Sequence, residues 1–396
     1  MPARPAFAEA ILAAVLILSM ASFLRIPVLN PMAADLQNLY AFHHCAARDD
    51  PYLSSGTICG DPEGRNMVYP PLLYWSFAWV RFLGNRAATL AWMSVVALGT
   101  VASLWSFAPA RRWRQAGGLG LFVGLLAAQF PLLFAIERGN NDVVVLVTWA
   151  LSLWAWRAGR PALAGVAAGL AISLKLYPAV AALVIGVALL VHALRTPEAR
   201  PRVLAFAAGG MAGVLVPSLL LFSQVHTWAT TRLPAFAALQ WNPGVWNHAM
   251  NTLRGVDPLP LQAILLGAWL VGGALAVARD PVQVFAGALA ISTSFSNTSW
   301  DYNLITAFPL LLVQYQRAAE RRWRPLGDAL LLLGLVAVAG NRVFFSLSPA
   351  LVQVRVLLLW GWLTASGLLA AWLAGPVGES AAPGPARPDQ AAAGAA

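Results

Sequence analysis

Charged side chains are scarce in this chain. Asp, Glu, Lys and Arg make up 11% of its 396 residues, where soluble domains carry about 25%, and Lys175 is the only lysine. With 59% hydrophobic residues and a mean hydropathy of +0.67, a water-soluble all-α protein would expose large apolar patches and precipitate. A soluble domain is therefore excluded. Cysteine is nearly absent as well, with Cys45 and Cys59 the only two. The run His43-His44-Cys45 lacks the ligand spacing of a zinc site, so no metal is expected. A Gly-rich phosphate loop of the nucleotide-binding kind is missing. The formal charge of +10 would suggest nucleic acid in a soluble protein. Here no aromatic-interleaved basic cluster accompanies it, and arginines in short loops are what membrane topology requires. No nucleic-acid partner is expected.

What fills the chain instead is uncharged windows of about 20 residues, the length a helix needs to cross ~30 Å of hydrocarbon. The expected fold class is an all-α polytopic membrane protein. Twelve spans are predicted, near 7–25, 87–107, 117–136, 143–156, 161–176, 178–194, 203–222, 261–278, 281–296, 302–316, 326–346 and 350–373. Arg4 flanks the first span and no A-x-A-like site follows it, which reads as a retained signal anchor. Residues 1–375 form one transmembrane domain on this reading. Its first outer loop, 26–86, is long and polar and contains one short apolar segment, Pro71 to Gly84, read as an interfacial or re-entrant helix. The tail 376–396, rich in Ala, Pro and Gly, has too few large apolar residues to fold and is expected to be disordered and cytoplasmic.

Arginine placement orients the spans. With the N-terminus inside, fifteen arginines fall in the cytoplasmic loops, among them Arg111, Arg112 and Arg114, and Arg317, Arg321, Arg322 and Arg324. Ten cationic residues fall outside, spread over longer loops. That is the asymmetry of the positive-inside rule, with both termini cytoplasmic. Counting Pro71 to Gly84 as a span would move Arg111, Arg112 and Arg114 outside. Asp35, Arg138, Asn140, Asn141, Asp142, Lys175, Tyr177, His248, Asn251, Trp300 and Asp301 then share the outer face, although they come from five separate turns. The spans flanking Lys175 are short. Fifteen helical residues reach only ~22 Å, and Tyr177-Pro178 follows. A broken hairpin that sets the lysine part-way down a polar cavity fits. A lysine snorkelling to the interface fits equally.

Read in order, the polar landmarks are Asp35 after the first span, Asp50-Pro51-Tyr52, Tyr69-Pro70-Pro71-Leu72, Glu137-Arg138-Gly139-Asn140-Asn141-Asp142, Leu174-Lys175-Leu176-Tyr177-Pro178, Trp246-Asn247-His248-Ala249-Met250-Asn251 and Ser299-Trp300-Asp301-Tyr302. Together, from about residue 7 to 315, they resemble glycosyltransferase family 87, the polyprenyl-phosphomannose-dependent α-1,2-mannosyltransferase type of the GT-C superfamily. The resemblance implies a GT-C fold whose long first outer loop, with juxtamembrane helices, covers a cavity between transmembrane helices. It implies a lipid-linked sugar phosphate as donor, no cofactor, inversion at the anomeric carbon, and an acidic residue of the first loop as general base. Asp35 is the position that matches. Gly139-Asn140-Asn141-Asp142 fits the family's Gly-Asn-x-Asp. Asn247-His248-Ala249 departs from its Asn-Gln-Ser, on the acceptor side. The setting implied is a bacterial cell membrane with the active site on the periplasmic face, and the partners are membrane lipid, the polyprenyl-phosphate-linked sugar and a glycolipid or glycan acceptor.

The chemistry accounts for these residue types. An acceptor hydroxyl loses a proton as it attacks, so a carboxylate must lie within hydrogen-bond reach. A single displacement needs one base, not the paired carboxylates of a retaining hydrolase. The phosphate leaving group needs cations or N–H donors. Asp35 is assigned as base, with a polar end to the first span as the plainer alternative. Asp50 competes as a sugar ligand or base, though before Pro51 it also reads as a turn former. Arg138, Lys175 and His248 are candidates for the donor phosphate. Arg138 could instead pair with Glu137 or Asp142. Asn140, Asn141 and Asp142 suit sugar hydroxyls, or else cap a helix beginning at Val143. Tyr69, Tyr177, Asn251, Trp300 and Asp301 complete the sugar and acceptor candidates, while most of the seventeen tryptophans read as an interfacial aromatic belt. In an oxidising compartment Cys45 and Cys59 can pair, closing a loop of about 15 residues that contributes up to ~3 kcal/mol. A transporter or flippase of a lipid-linked sugar is the rival reading. It explains the spans, but the chain shows no internal repeat.

Overall fold

The structure is a computed structural model that describes residues 34–44, 52, 69–107, 130–234, 258–295, 301–318, 324–339 and 349–373. Every regular element among them is helical. Four helices are long and apolar enough to cross a membrane, Asn85–Phe107, Pro178–Arg195, Pro197–Leu220 and Leu259–Ala276, and shorter apolar helices accompany them. The chain is thus an all-α polytopic membrane protein. The predicted first span, most of the span at 117–136, and the tail lie outside the described residues.

In chain order the helices are α1 (Ala34–His44), α2 (Pro71–Ser76), α3 (Asn85–Phe107), α4 (Phe130–Arg138), α5 (Asp142–Arg157), α6 (Pro161–Leu174), α7 (Pro178–Arg195), α8 (Arg200–Leu220), α9 (Phe222–Thr227), α10 (Pro258–Ala276), α11 (Pro281–Ser292), α12 (Phe308–Ala318), α13 (Arg324–Ala339) and α14 (Pro349–Leu368), with a last turn, α15 (Ala370–Leu373). Proline opens α2, α6, α7 and α11, where its missing N–H costs nothing and its fixed φ suits a helix. The apolar segment after Tyr69 splits into α2 and a 3-10 turn, Ala78–Phe82. The span predicted at 302–316 is not one regular helix. It starts as a 3-10 segment, Asp301–Ala307, and becomes α-helical only at Phe308-Pro309.

Helix α11 is buried on every side from Gln283 to Ser292. It runs through the middle of the bundle, with α5, α7, α10, α12 and α14 packed around it. Tryptophans fasten this bundle, which corrects the aromatic-belt reading for several of them. Trp149, Trp269 and Trp362 are fully buried. Their indole N–H groups donate to the Phe285 carbonyl, the Leu363 carbonyl and Gln314 Oε1, all at 2.8–2.9 Å. An indole has a single donor, and a helix carbonyl has a second lone pair to receive it, so a bulky ring can be buried without an orphaned N–H.

Helices α6 and α8 touch backbone to backbone. A Cβ placed on Gly165 would lie 1.9 Å from the Phe206 carbonyl oxygen, and one on Gly209 2.0 Å from that of Ala162. Gly169 and Gly213 are similarly closed off, at 2.3 and 2.4 Å. In a membrane, where lipid tails are as apolar as leucine, such close approach replaces the hydrophobic drive between helices. The Gly/Ala-rich sequence of α6 therefore fixes where α6 ends, and its end carries Lys175.

Candidate active site

The site is built from two turns and the start of α1. Helix α4 ends in a Schellman motif. The Asn140 N–H donates to the Ala135 carbonyl at 2.8 Å, and the Gly139 N–H to the Ile136 carbonyl at 3.0 Å. Gly139 sits at φ 60°, a left-handed conformation that costs a residue with a Cβ about 1–2 kcal/mol. This reversal presents Arg138 on one side of the glycine and Asn140 on the other to the same carboxylate. Arg138 Nη2 donates to Asp35 Oδ1 at 2.9 Å and Asn140 Nδ2 to Asp35 Oδ2 at 3.1 Å. Asp35 retains 1% of its exposure and the Arg138 side chain 15%, so Arg138 marks the accessible edge.

Asn140 caps the helix, one of the two roles that the sequence left open, and also holds the Asp35 carboxylate. Its Oδ1 accepts the Asp142 N–H at 2.7 Å, a local side-chain cap on the start of α5, while its Nδ2 holds Asp35. These two partners fix the amide's orientation, because a carboxylate only accepts and an N–H only donates. Asp142 opens α5 but turns its side chain away from capping. Its Oδ1 receives Lys175 Nζ at 2.5 Å and the Tyr177 hydroxyl at 3.0 Å. Lys175 has extended backbone, φ −148° and ψ 143°, and Pro178 starts α7 three residues later. The hairpin is thus broken where the sequence suggested, and Lys175 is buried beside Asp142 instead of snorkelling. Burial first, and then the adjacent Asp142 carboxylate, push the Tyr177 phenol in this break well above its ordinary range.

The result is an alternating chain, Arg138–Asp35–Asn140–Asp142–Lys175, in which each buried charge has an opposite partner, as burial requires. Arg138 pairs with Asp35 across 103 residues, a pairing outside both alternatives drawn from its neighbours. Tyr69 approaches from the first loop, with the Lys175 ammonium 5.3 Å from its ring centre. Asn141 is fully buried between these pairs, and neither its amide oxygen nor its amide nitrogen has a hydrogen-bond partner among the described residues. A buried orphan amide costs about 1–3 kcal/mol, and it offers one donor and one acceptor, the complement of a hydroxyl.

Beside the cluster lies an apolar groove of about 120 Å³. It runs between Pro70 and Pro71 at the start of α2, Ile172 and Leu176 around the α6 break, and Pro217 and Trp228 at the far end of α8 and beyond. The two residues that flank Lys175 most closely in its lining are Ser173 and Leu176. The indole of Trp75 donates to Gln224 Oε1 at 2.8 Å, tying α2 to α9 along one wall.

Of the residues singled out in the sequence, Asp35, Tyr69, Arg138, Asn140, Asn141, Asp142, Lys175 and Tyr177 converge here. Asp301 opens the 3-10 segment that packs against α4 and α5. Asp50, His248, Asn251, Trp300, Cys45 and Cys59 lie outside the described residues. Sequence reasoning passed over two supports. Trp92 Nε1 donates to the Gly139 carbonyl at 2.8 Å, and the Tyr52 hydroxyl to the Tyr69 carbonyl at 2.7 Å. Tyr52 was visible only as a member of Asp50-Pro51-Tyr52, and Trp92 carried no signal in its uncharged span. Among the described residues no group of His, Cys, Asp and Glu gathers as a metal site.

Compared with known proteins, the chain matches the model of glycosyltransferase family 87 over residues 67–296, more than half its length. No curated protein and no solved structure matches it.

Proposed function

Because the chain belongs to glycosyltransferase family 87 and is therefore a membrane glycosyltransferase, we propose that it moves a hexose, mannose in the simplest case, from a polyprenyl-phosphate carrier to a lipid or glycan acceptor on the outer face of a bacterial cell membrane. The observation that carries this reading is the buried carboxylate of Asp35, gripped through both oxygens by Arg138 and Asn140 and joined through Asn140 to Asp142 and Lys175. A pre-oriented carboxylate beside cations from a separate turn suits a single inverting displacement. The acceptor oxygen bonds to the anomeric carbon as the bond to phosphate breaks. Asp35 takes the hydroxyl proton, and the polyprenyl phosphate leaves.

In this mechanism Lys175 meets the leaving phosphate. An ammonium carries three N–H donors, so it can bridge Asp142 and a phosphate oxygen. Arg138, at the accessible edge, steadies Asp35 and neutralises charge as the phosphate departs. His248 remains a candidate phosphate ligand. Asn141 takes a sugar hydroxyl on its unpartnered amide, with Tyr69 stacking beside it. Asp50, Asn140, Asp142, Tyr177, Asn251, Trp300 and Asp301 are proposed to shape the sugar and acceptor sites. The apolar groove next to Leu176 supports a lipid-linked donor, because an isoprenoid chain leaving the phosphate near Lys175 would meet apolar walls. No cofactor takes part.

The test is a membrane assay with radiolabelled polyprenyl-phosphomannose and other polyprenyl-phosphohexoses. Labelled glycoside formed from one of them supports the reading. Label that crosses vesicles without forming a glycoside identifies a transporter instead.

A further inference from the structure

The groups that hold the other end of α1 have no role in the proposed chemistry. Asp35 lies in the first turn of α1, and His43 lies eight residues on, in its last turn. His43 is 2% exposed, unusual for a histidine that the chemistry does not use. Its Nε2 is 2.7 Å from the Tyr74 carbonyl oxygen of α2. A carbonyl only accepts, so Nε2 carries the proton. Nδ1 is then bare, and it receives the Nε–H of Arg81 at 3.2 Å from the 3-10 turn Ala78–Phe82. The Arg81 guanidinium is braced over the Trp75 ring, 5.6 Å from its centre, and Phe42 and Trp75 enclose the imidazole.

We propose that His43 is a positioning residue for glycosyl transfer, clasping α1 to α2 and the 3-10 turn only in its neutral, Nε2-protonated form and so holding Asp35 in register with Arg138 and Asn140. This inference rests on Asp35 being the general base. A second proton on Nδ1 would point at the Arg81 Nε–H, setting donor against donor and cation against cation. The clasp would open, and the helix carrying Asp35 would lose its anchor two turns from the reacting carboxylate. A displacement of about 1 Å at a catalytic group can cost on the order of a hundredfold in rate.

The charged groups facing the imidazole are Arg81 from the 3-10 turn and His44 from α1 itself. Helix α2 presents the Tyr74 carbonyl and the Trp75 ring. Burial, the largest influence, together with Arg81 and His44, holds the imidazole below its ordinary value against the opposing pull of the Tyr74 hydrogen bond. The clasp is therefore closed at neutral pH and opens in acid.

The experiment measures kcat and KM with radiolabelled polyprenyl-phosphomannose from pH 4.5 to 8.5 for wild type, His43→Gln, His43→Ala and Arg81→Gln, with Asp35→Asn alongside. Each kcat is referred to the amount of folded protein recovered by size exclusion, and the shape of each pH profile is compared after division by that variant's own rate at pH 8. Glutamine supplies one donor and one acceptor and does not titrate. The expected result is an acid limb in wild-type kcat below about pH 6.5 that His43→Gln abolishes while keeping most of the rate at pH 8. His43→Ala should lose about tenfold or more in kcat with little change in KM. Arg81→Gln should flatten the limb, because an amide oxygen can accept from the protonated ring. An unchanged acid limb in His43→Gln, or wild-type kcat in His43→Ala, overturns the proposal. Full turnover in Asp35→Asn instead removes the assignment of the base, a separate outcome.

Discussion

The buried Asp142–Lys175 pair separates architecture from chemistry. Lys175 Nζ lies 2.5 Å from Asp142 Oδ1, and their side chains keep 10% and 0% of their exposure, so solvent screens the pair little. Removing one member strands a charge in a poorly hydrated site, which costs about 3–5 kcal/mol. Lys175→Met takes the ammonium away from the Asp142 carboxylate, and Asp142→Asn leaves the ammonium facing an amide. The double variant strands nothing, and a paired neutral replacement is often close to neutral in stability. With each single change costing about 3–5 kcal/mol and the double change little, the coupling in a double-mutant cycle should reach about 6 kcal/mol or more. It is measured by unfolding the purified protein in mixed micelles with increasing SDS. Glycosyl transfer should behave differently. If Lys175 meets the donor phosphate, the double variant regains stability and stays inactive. Single variants that lose under about 1 kcal/mol, or a double variant that recovers transfer, would refute the reasoning.

Further outcomes follow from the same geometry. Gly139→Ala must force a left-handed φ of 60° and should lose about 1–2 kcal/mol and most transfer activity, read by SDS unfolding and the radiolabel assay, because that turn aims both Arg138 and Asn140. Gly169→Leu should fail to give folded protein on size exclusion, since even its Cβ would lie 2.3 Å from the Gly210 carbonyl oxygen. Gly186→Ala meets nothing within 4 Å, and should unfold at the same SDS concentration or slightly higher. Neutral His43 stabilises the fold fully above its ordinary value of 6.5, and that stability is lost as pH falls through its depressed value. The melting temperature of wild type should therefore drop further between pH 7 and pH 5 than that of His43→Gln.

Much of the site was legible because local sequence enforces it. Pro178 marked a break after Lys175, where the chain was read as leaving the membrane, and Gly139 stood out only as part of Gly139-Asn140-Asn141-Asp142, whose reversal the structure shows. Charge placement put Asp35, Arg138, Asp142 and Lys175 on one face without saying which would touch. The partners were illegible for a physical reason: Arg138 has Glu137 beside it in sequence, yet reaches Asp35 because the Schellman turn points it across the bundle. The tryptophans misled for a related reason. An interfacial ring and a buried ring donating to a distant helix carbonyl have the same composition, and only packing distinguishes Trp149 or Trp269 from a belt residue. His43 stood out only in a run without zinc spacing, and its role as a clasp was illegible since its partners Tyr74 and Arg81 lie 31 and 38 residues away.

The account stands most directly on the carboxylate of Asp35. Transfer from radiolabelled polyprenyl-phosphohexose, in membranes holding equal amounts of inserted wild type and Asp35→Asn, should fall by about 10²–10⁴-fold in the variant, the usual contribution of a general base. Turnover by Asp35→Asn within a few-fold of wild type would contradict it.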